Sequence, residues 1–265
     1  MKGLSPQTEA VFEQISKLEC IKDYTLIGGT ALSLQLGHRL SEDLDFCRWH
    51  KHKREKLWVN WRQIQEELSK IGTVKRNLLA ETQCDFLVDG VKITFLDDNK
   101  FKEPPMFKKI PFLNNLKLAD IGSIGTMKLE VMSRRSTYRD FYDLYCILKT
   151  EKVVFDNIIK NTGNYTNHDL STKGMFITLA RAGEVKIEKS FLKLMPVYDI
   201  PPSKIQQFFM ENAQQYVMDN NKQNKTSLTS IIERVNSNIP KKTIPNKLKN
   251  QSFKGFKSND FEMDL

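Results

Sequence analysis

A short apolar run, residues 24–27, ends in Gly28, Gly29 and Thr30, and after twelve intervening residues come Asp43 and Asp45 on alternate positions. Two glycines between a strand and a helix let a ligand approach the backbone, and the N–H groups of a helix start bind anions such as phosphate. Thr30 adds a hydroxyl donor. Side chains alternate along a strand, so Asp43 and Asp45 project to one side. Two anions so placed repel unless a cation lies between them. A pair of oxygen ligands suits Mg2+, with Mn2+ as the alternative, better than zinc, which prefers His or Cys. A bare Gly-Gly-Thr is also a common tight turn, and a lone Asp-x-Asp a solvated strand end. Their order within one strand–helix–strand unit is what joins a phosphate cradle to a metal clasp. The chain holds no GxxxxGK[ST] loop and no GxGxxG, so neither a Walker loop nor a dinucleotide fold is supported.

These residues need elements to position them. Val11, Phe12, Ile15 and Leu18 stand at helical spacing after Ser5-Pro6, a helix start signal. Residues 24–27 read as a strand, Thr30–Leu36 as a helix stopped by Gly37, and Leu44–Cys47 as a second strand. The segment 50–72 reads as one long amphipathic helix with a basic first turn. Residues 73–96 give two or three strands, with Asp89-Gly90 as a hairpin turn. Pro104, Pro105 and Pro111 mark a linker. Beyond it, helices are expected at 121–135, 137–151, 171–183, 203–221 and 227–239. The fold class is therefore α+β, a mixed sheet with helices followed by a mostly helical lobe. The expected division is an α/β core over 1–100, a helical lobe over 101–245 that completes the cleft, and a tail over 246–265.

The chain has 265 residues, 40% hydrophobic and 28% charged, which fits a folded protein with a sizeable core. Its formal net charge of +9 favours polyanionic partners, RNA or nucleotide phosphates among them. Apolar runs are broken well before membrane-spanning length, and Glu13 and Glu19 interrupt what would be a signal peptide's apolar region. No membrane partner is expected, and the cytoplasm is the expected compartment. Cys20, Cys47, Cys84 and Cys146 form no CxxC pair and read as reduced core residues.

The stretch GGTALSLQLGHRLSEDLDF resembles the signature of the DNA polymerase β-type nucleotidyltransferases. More narrowly, it resembles the AbiEii-type family of abortive-infection and type IV toxin nucleotidyltransferases. The downstream stretch MKLEVMSRRSTYRDFYDLYCIL, with Lys128, Arg139-Asp140 and Asp143, supports the narrower assignment. The resemblance implies a polymerase β-like fold and transfer of a nucleotidyl group from an NTP to a hydroxyl of tRNA or protein, with an antitoxin as regulator. It implies that Gly28, Gly29 and Thr30 hold the triphosphate and that Asp43 and Asp45 bind Mg2+. Lys128 would neutralise triphosphate charge, with Asp143, or Asp140, orienting it. The resemblance places catalysis on Asp43, Asp45, Lys128 and Asp143. Without it, Lys128 and Asp143 read equally well as an ion pair on a solvated helix face.

The loop before the aspartates holds His38 and Arg39, and Arg39 is positioned to reach a phosphate. Ser41 reads as a turn cap. Polymerase β-type enzymes carry a third carboxylate on a later strand, where this chain has Thr94, with Asp85 and Asp97 nearby. That departure leaves a second reading open, a catalytically weakened nucleotide- or RNA-binding module. The basic run Lys51, His52, Lys53, Arg54 and Lys56 lies where an RNA backbone nearing the site would meet it. Trp58 and Trp61 are expected in the core, and Trp49 is left as a candidate stacking residue.

Overall fold

The computed structural model describes residues 2–99, 107–165 and 170–221. Helix α1 (Pro6–Ser16) starts where expected, with Ser5 accepting from the Thr8 N–H as its cap. The elements that follow are β1 (Thr25–Ile27), α2 (Gly28–Leu36), β2 (Leu44–Trp49) and α3 (Trp61–Leu68). Next come β3 (Val74–Leu79), β4 (Gln83–Val88), β5 (Val91–Asp98), β6 (Lys109–Leu113) and β7 (Leu116–Ala119). The helical part runs through α4 (Ile121–Met132), α5 (Tyr138–Lys149), α6 (Phe155–Tyr165), α7 (Thr172–Ala180), α8 (Lys189–Leu192) and α9 (Pro202–Asn221).

The seven strands form one mixed sheet in the order β3-β4-β5-β2-β1-β7-β6. β2 runs antiparallel to β1 and parallel to β5, so the two aspartates enter a central strand of the sheet. Phe46 stacks on Phe95, and Phe86 meets Phe95 edge-on, which makes one face of β2, β5 and β4 an aromatic core layer. Asp45, Thr94 and Asp85 stand opposite one another in register and share the other face. Asp89 and Gly90 both have positive φ, 48° and 85°, as the hairpin turn requires.

Three expectations need correction. The first concerns 50–72, where only residues 61–68 are helical. Leu57 and Val59 are buried while Lys56, Trp58 and Asn60 are exposed, a period-two pattern that pins an extended segment. Asn60 then caps α3. Second, the sheet does not end at residue 100. β7 pairs in parallel with β1, and β6 extends it as the edge strand, where Pro111 is tolerated. Third, α6 was not expected, although Phe155, Ile158, Ile159, Thr162 and Tyr165 are buried at helical spacing. Its Asn-Thr-Gly-Asn stretch disguised it. The helix expected at 227–239, residues 101–106 and the tail lie outside the described residues.

Candidate active site

β1 passes into α2 without an intervening loop. Gly28, at φ +70°, makes the turn, a conformation that L side chains rarely adopt. Side chains cap α1, α3, α4, α5 and α7, from Ser5, Asn60, Asp120, Thr137 and Ser171. At α2 the capping position is Ile27, which offers no acceptor. The first-turn N–H groups of α2 therefore keep their hydrogen-bonding capacity and the positive end of the helix dipole.

A Cβ built on Gly28 would stand 3.2 Å from Asp45 Oδ2, so the carboxylate packs against the turn. Asp43 immediately precedes β2. Thr30 is buried and fixes this register: its hydroxyl donates to the Asp43 carbonyl and lies 2.8 Å from Ser41 Oγ. The expected phosphate donor is thus already committed to positioning Asp43. Ser41, expected as a turn cap, is part of the same knot.

Burial, then the neighbouring Asp43 charge, raises the pKa of Asp45. The Thr94 hydroxyl, Lys92 and Lys128 oppose that rise without cancelling it. Two carboxylates held this way fit a divalent cation. Among the described residues no cluster of three or more His, Cys, Asp or Glu surrounds them. Mg2+ is commonly held by one or two carboxylates with substrate phosphates and water completing its shell, so the donor set suits it. The raised pKa also sets the sign of a stability effect. A carboxyl with a folded pKa above its ordinary value is strained when ionised, and the strain is relieved as pH falls through the folded pKa. Asp45→Asn is therefore expected to raise the melting temperature of the metal-free protein at neutral pH. Thermal unfolding at pH 7 checks this, and an unchanged or lower value contradicts it.

Lys128 comes from α4 and is buried. Its Nζ lies 2.8 Å from Asp140 Oδ1 and 2.7 Å from Asp143 Oδ2, two residues that share a face of α5 at i,i+3 spacing. Asp143 is 0% exposed and also receives Arg39 Nε at 2.7 Å and Nη2 at 2.8 Å, while His38 Nε2 lies 2.8 Å away. Burial pushes the Asp143 carboxyl up, but Arg39 and Lys128, with the Arg39 and His38 hydrogen bonds, hold it well below the usual range. Burial likewise works against Lys128, and the Asp143 and Asp140 charges reverse the effect and keep it protonated. Burial lowers the pKa of His38, so at neutral pH the imidazole is uncharged and donates Nε2–H to Asp143.

Arg39 lines the cleft with its guanidinium turned onto Asp143. It lies beneath the Gly-Gly turn, bidentate to Asp143, with Nη1 donating to the Leu40 carbonyl at 2.8 Å. Gly29 makes room for it, since a Cβ there would stand 2.3 Å from Arg39 Nη2. Gly29→Ala must push the guanidinium off its carboxylate. The expected cost is about 1–3 kcal/mol of stability together with weakened nucleotide binding, read by denaturant unfolding and nucleotide titration. Unchanged values in both would show that the close packing is unimportant.

Gly28, Gly29, Thr30, Arg39, Asp43, Asp45, Lys128 and Asp140 all line one cleft of about 520 Å³. Asp143 supports it from behind. Residues that sequence reasoning did not single out also line it: Gln83, Lys92, Arg135 and Glu188. Arg139, noted only as part of a motif, is among them. Thr94 does hold the row expected of a third acid, directly opposite Asp45. Of the two carboxylates nearby, Asp97 is on the opposite face, paired with Arg48 at 2.5 Å. Asp85 shares the Thr94 face but is held by Lys92 at 3.1 Å and Gln83 at 3.0 Å. Trp61 packs against the core as expected, whereas Trp49 and Trp58 depart from expectation. Trp49 is buried, edge-on to Phe107, and Trp58 is 65% exposed.

Residues 10–182 match the model of a family described as nucleotidyl transferase AbiEii toxin, type IV TA system. An uncharacterized protein of Aquifex aeolicus (strain VF5) is 27% identical over 152 residues, 56% of this chain and 69% of that protein. Among solved structures, MenT4, a nucleotidyltransferase toxin of Mycobacterium tuberculosis H37Rv, aligns with a TM-score of 0.50 at 14% identity. The alignment covers 86% of this chain and 90% of MenT4, a likeness of fold. Among the described residues no helix is long and apolar enough to cross a membrane.

Proposed function

We propose, since the chain belongs to the AbiEii nucleotidyltransferase toxin family, that the cleft transfers a nucleotidyl group from an NTP to an RNA hydroxyl. The observation that carries this is convergence. An uncapped helix start, two crowded carboxylates and a buried, charged lysine open onto one cleft.

In the reaction the acceptor hydroxyl oxygen forms a bond to the α-phosphorus as its proton passes to solvent water, the α–β bridging bond breaks, and pyrophosphate leaves with the electron pair. The N–H groups of the first turn of α2 bind the distal phosphates, and Gly28 and Gly29 let them approach. Asp43 and Asp45 would hold the divalent cation, taken as Mg2+ with Mn2+ as the alternative, which neutralises triphosphate charge and polarises the α-phosphorus when bound. Lys128 meets the same charge. Asp143 does not touch the substrate and acts as a positioning residue through Lys128 and Arg39. Arg135 and Arg139 extend the cationic lining toward the acceptor side. Residues 121–221 supply the other wall, the role expected of a helical lobe. A type IV toxin family implies an antitoxin as regulator. The net charge of +9 supports RNA over protein as acceptor.

A specific observation keeps a second reading alive: Thr94 stands where a third acid would activate the acceptor, and Asp85 is already paired to Lys92. On that reading the cleft binds nucleotide or RNA without turning over. Incubating the full chain with each labelled NTP, Mg2+ and total RNA or lysate separates the two. Label in RNA is the expected result. Label in protein reassigns the acceptor, and nucleotide binding without incorporation under any condition favours the second reading.

A further inference from the structure

A tryptophan 65% exposed on a fixed backbone is an unusual use of apolar surface. Trp58 is held on both sides. Its carbonyl accepts from Arg48 Nη2 at 3.2 Å, the Leu57 carbonyl accepts from Asn99 at 3.3 Å, and the Val59 N–H donates to the Glu81 carbonyl at 3.0 Å. The indole is therefore displayed by an anchored segment. Beside it lies Trp61, half-buried at the start of α3, with Arg62 and Arg76 over its ring at 5.3 and 5.8 Å. The two indoles, Leu79 and Glu81 line a depression of about 330 Å³. Lys56, Arg62 and Arg76 are exposed around it, against Glu81 as the acid of the depression itself.

We propose that the exposed indole of Trp58, braced by Trp61, is a stacking platform for unpaired nucleotides of the RNA acceptor, gripped at a distance from its reacting end. Base–aromatic stacking beside a cationic backbone track is how single strands are held without sequence readout. The arginines that already stack on Trp61 match a phosphate backbone. An acidic protein segment would use the charge but not two aromatic faces. The platform lies on the sheet face opposite Asp45, since Leu79 pairs with Cys84 and Arg76 with Phe86 on the aromatic face, and it borders the β3–β4 turn from which Gln83 leads into the cleft. The purpose assigned to the platform rests on the transferase reading, whereas its affinity for single strands does not.

The test is fluorescence anisotropy of the full chain without NTP, using a labelled 12-nucleotide uridine-rich RNA, the matching duplex and a poly-glutamate peptide. Single-stranded RNA is expected to bind best. Trp58→Ala is expected to weaken that binding by roughly 5- to 100-fold, the range of one lost stacked base, and Trp58→Phe to restore most of it. Mg2+–NTP stabilisation of Trp58→Ala should match wild type, which shows that the cleft is intact. Unchanged single-strand affinity in Trp58→Ala overturns the proposal. So does equal binding of single strand and duplex, and so does preferential binding of the peptide, which would make the surface a protein-docking site. Because nothing is turned over, a dead transferase that still binds RNA through Trp58 refutes the catalytic reading and leaves the platform standing.

Discussion

Asp43→Ala and Asp45→Ala are each expected to lower pyrophosphate release by three orders of magnitude or more, about 4 kcal/mol of transition-state stabilisation at 1.4 kcal/mol per tenfold. The reason is electrostatic. The triphosphate brings several negative charges to a site where Asp45 is already crowded by burial and by Asp43. On the proposed reading, loss of either carboxylate would leave the cation without its protein ligands, and the α2 N–H groups and Lys128 would not replace a divalent charge. Both variants should fold, since Asp43 and Asp45 are each partly exposed and neither holds an ion pair like that of Asp143. The check is a pyrophosphate assay with a melting curve on the same samples. Activity within tenfold of wild type in either variant would remove that carboxylate from the mechanism.

Asp143→Ala is expected to act differently, through the fold. The carboxylate accepts from Arg39 twice and from Lys128 and His38, all inside the protein. Removing it leaves a guanidinium and an ammonium buried, with only Asp140 to share. Breaking a buried ion pair from one side costs about 3–5 kcal/mol, which for a chain of this size is roughly 6–20 °C in melting temperature. Asp140→Ala should cost less, because Lys128 keeps Asp143 and Arg39 is untouched. The cage also has a pH signature. Asp143 titrates well below its ordinary value in the folded state, so its stabilisation is complete above that ordinary value and is lost as pH falls through the folded pKa. Urea unfolding at pH 7 orders the variants, and an Asp143→Ala melting point within 2 °C or so of wild type would deny the cage its structural role.

The sequence made the site more legible than its surroundings. Gly28, Gly29, Asp43, Asp45 and Lys128 all line one cleft, because strand alternation and a strand-to-helix turn are local rules that residue spacing reports directly. That Thr94 and not an acid follows on the later strand was also visible, as strand alternation sets its face, and the hairpin sets its register with Asp85. Roles set by distant partners were not visible. Arg39 and Thr30 line the cleft as expected, but that Asp143, 104 residues away from Arg39, and the Asp43 carbonyl hold their polar groups is not readable from local spacing. The Trp58 error has the same root: its neighbours Leu57 and Val59 satisfy the core at period two, whereas a helical period had been assumed. Strands β6 and β7 were hidden by Pro111, whose tolerance depends on edge position, a property of the whole sheet.

The claim beneath all of this is that two acids and a bare helix start cradle a metal–triphosphate. The most direct measurement is a crystal structure with Mn2+ and a non-hydrolysable NTP, recorded at a wavelength that reveals manganese. The account predicts an anomalous peak between the Asp43 and Asp45 carboxylates, with the distal phosphates against the Gly28–Gly29 turn. Manganese bound elsewhere, or a nucleotide seated away from that turn, would contradict it.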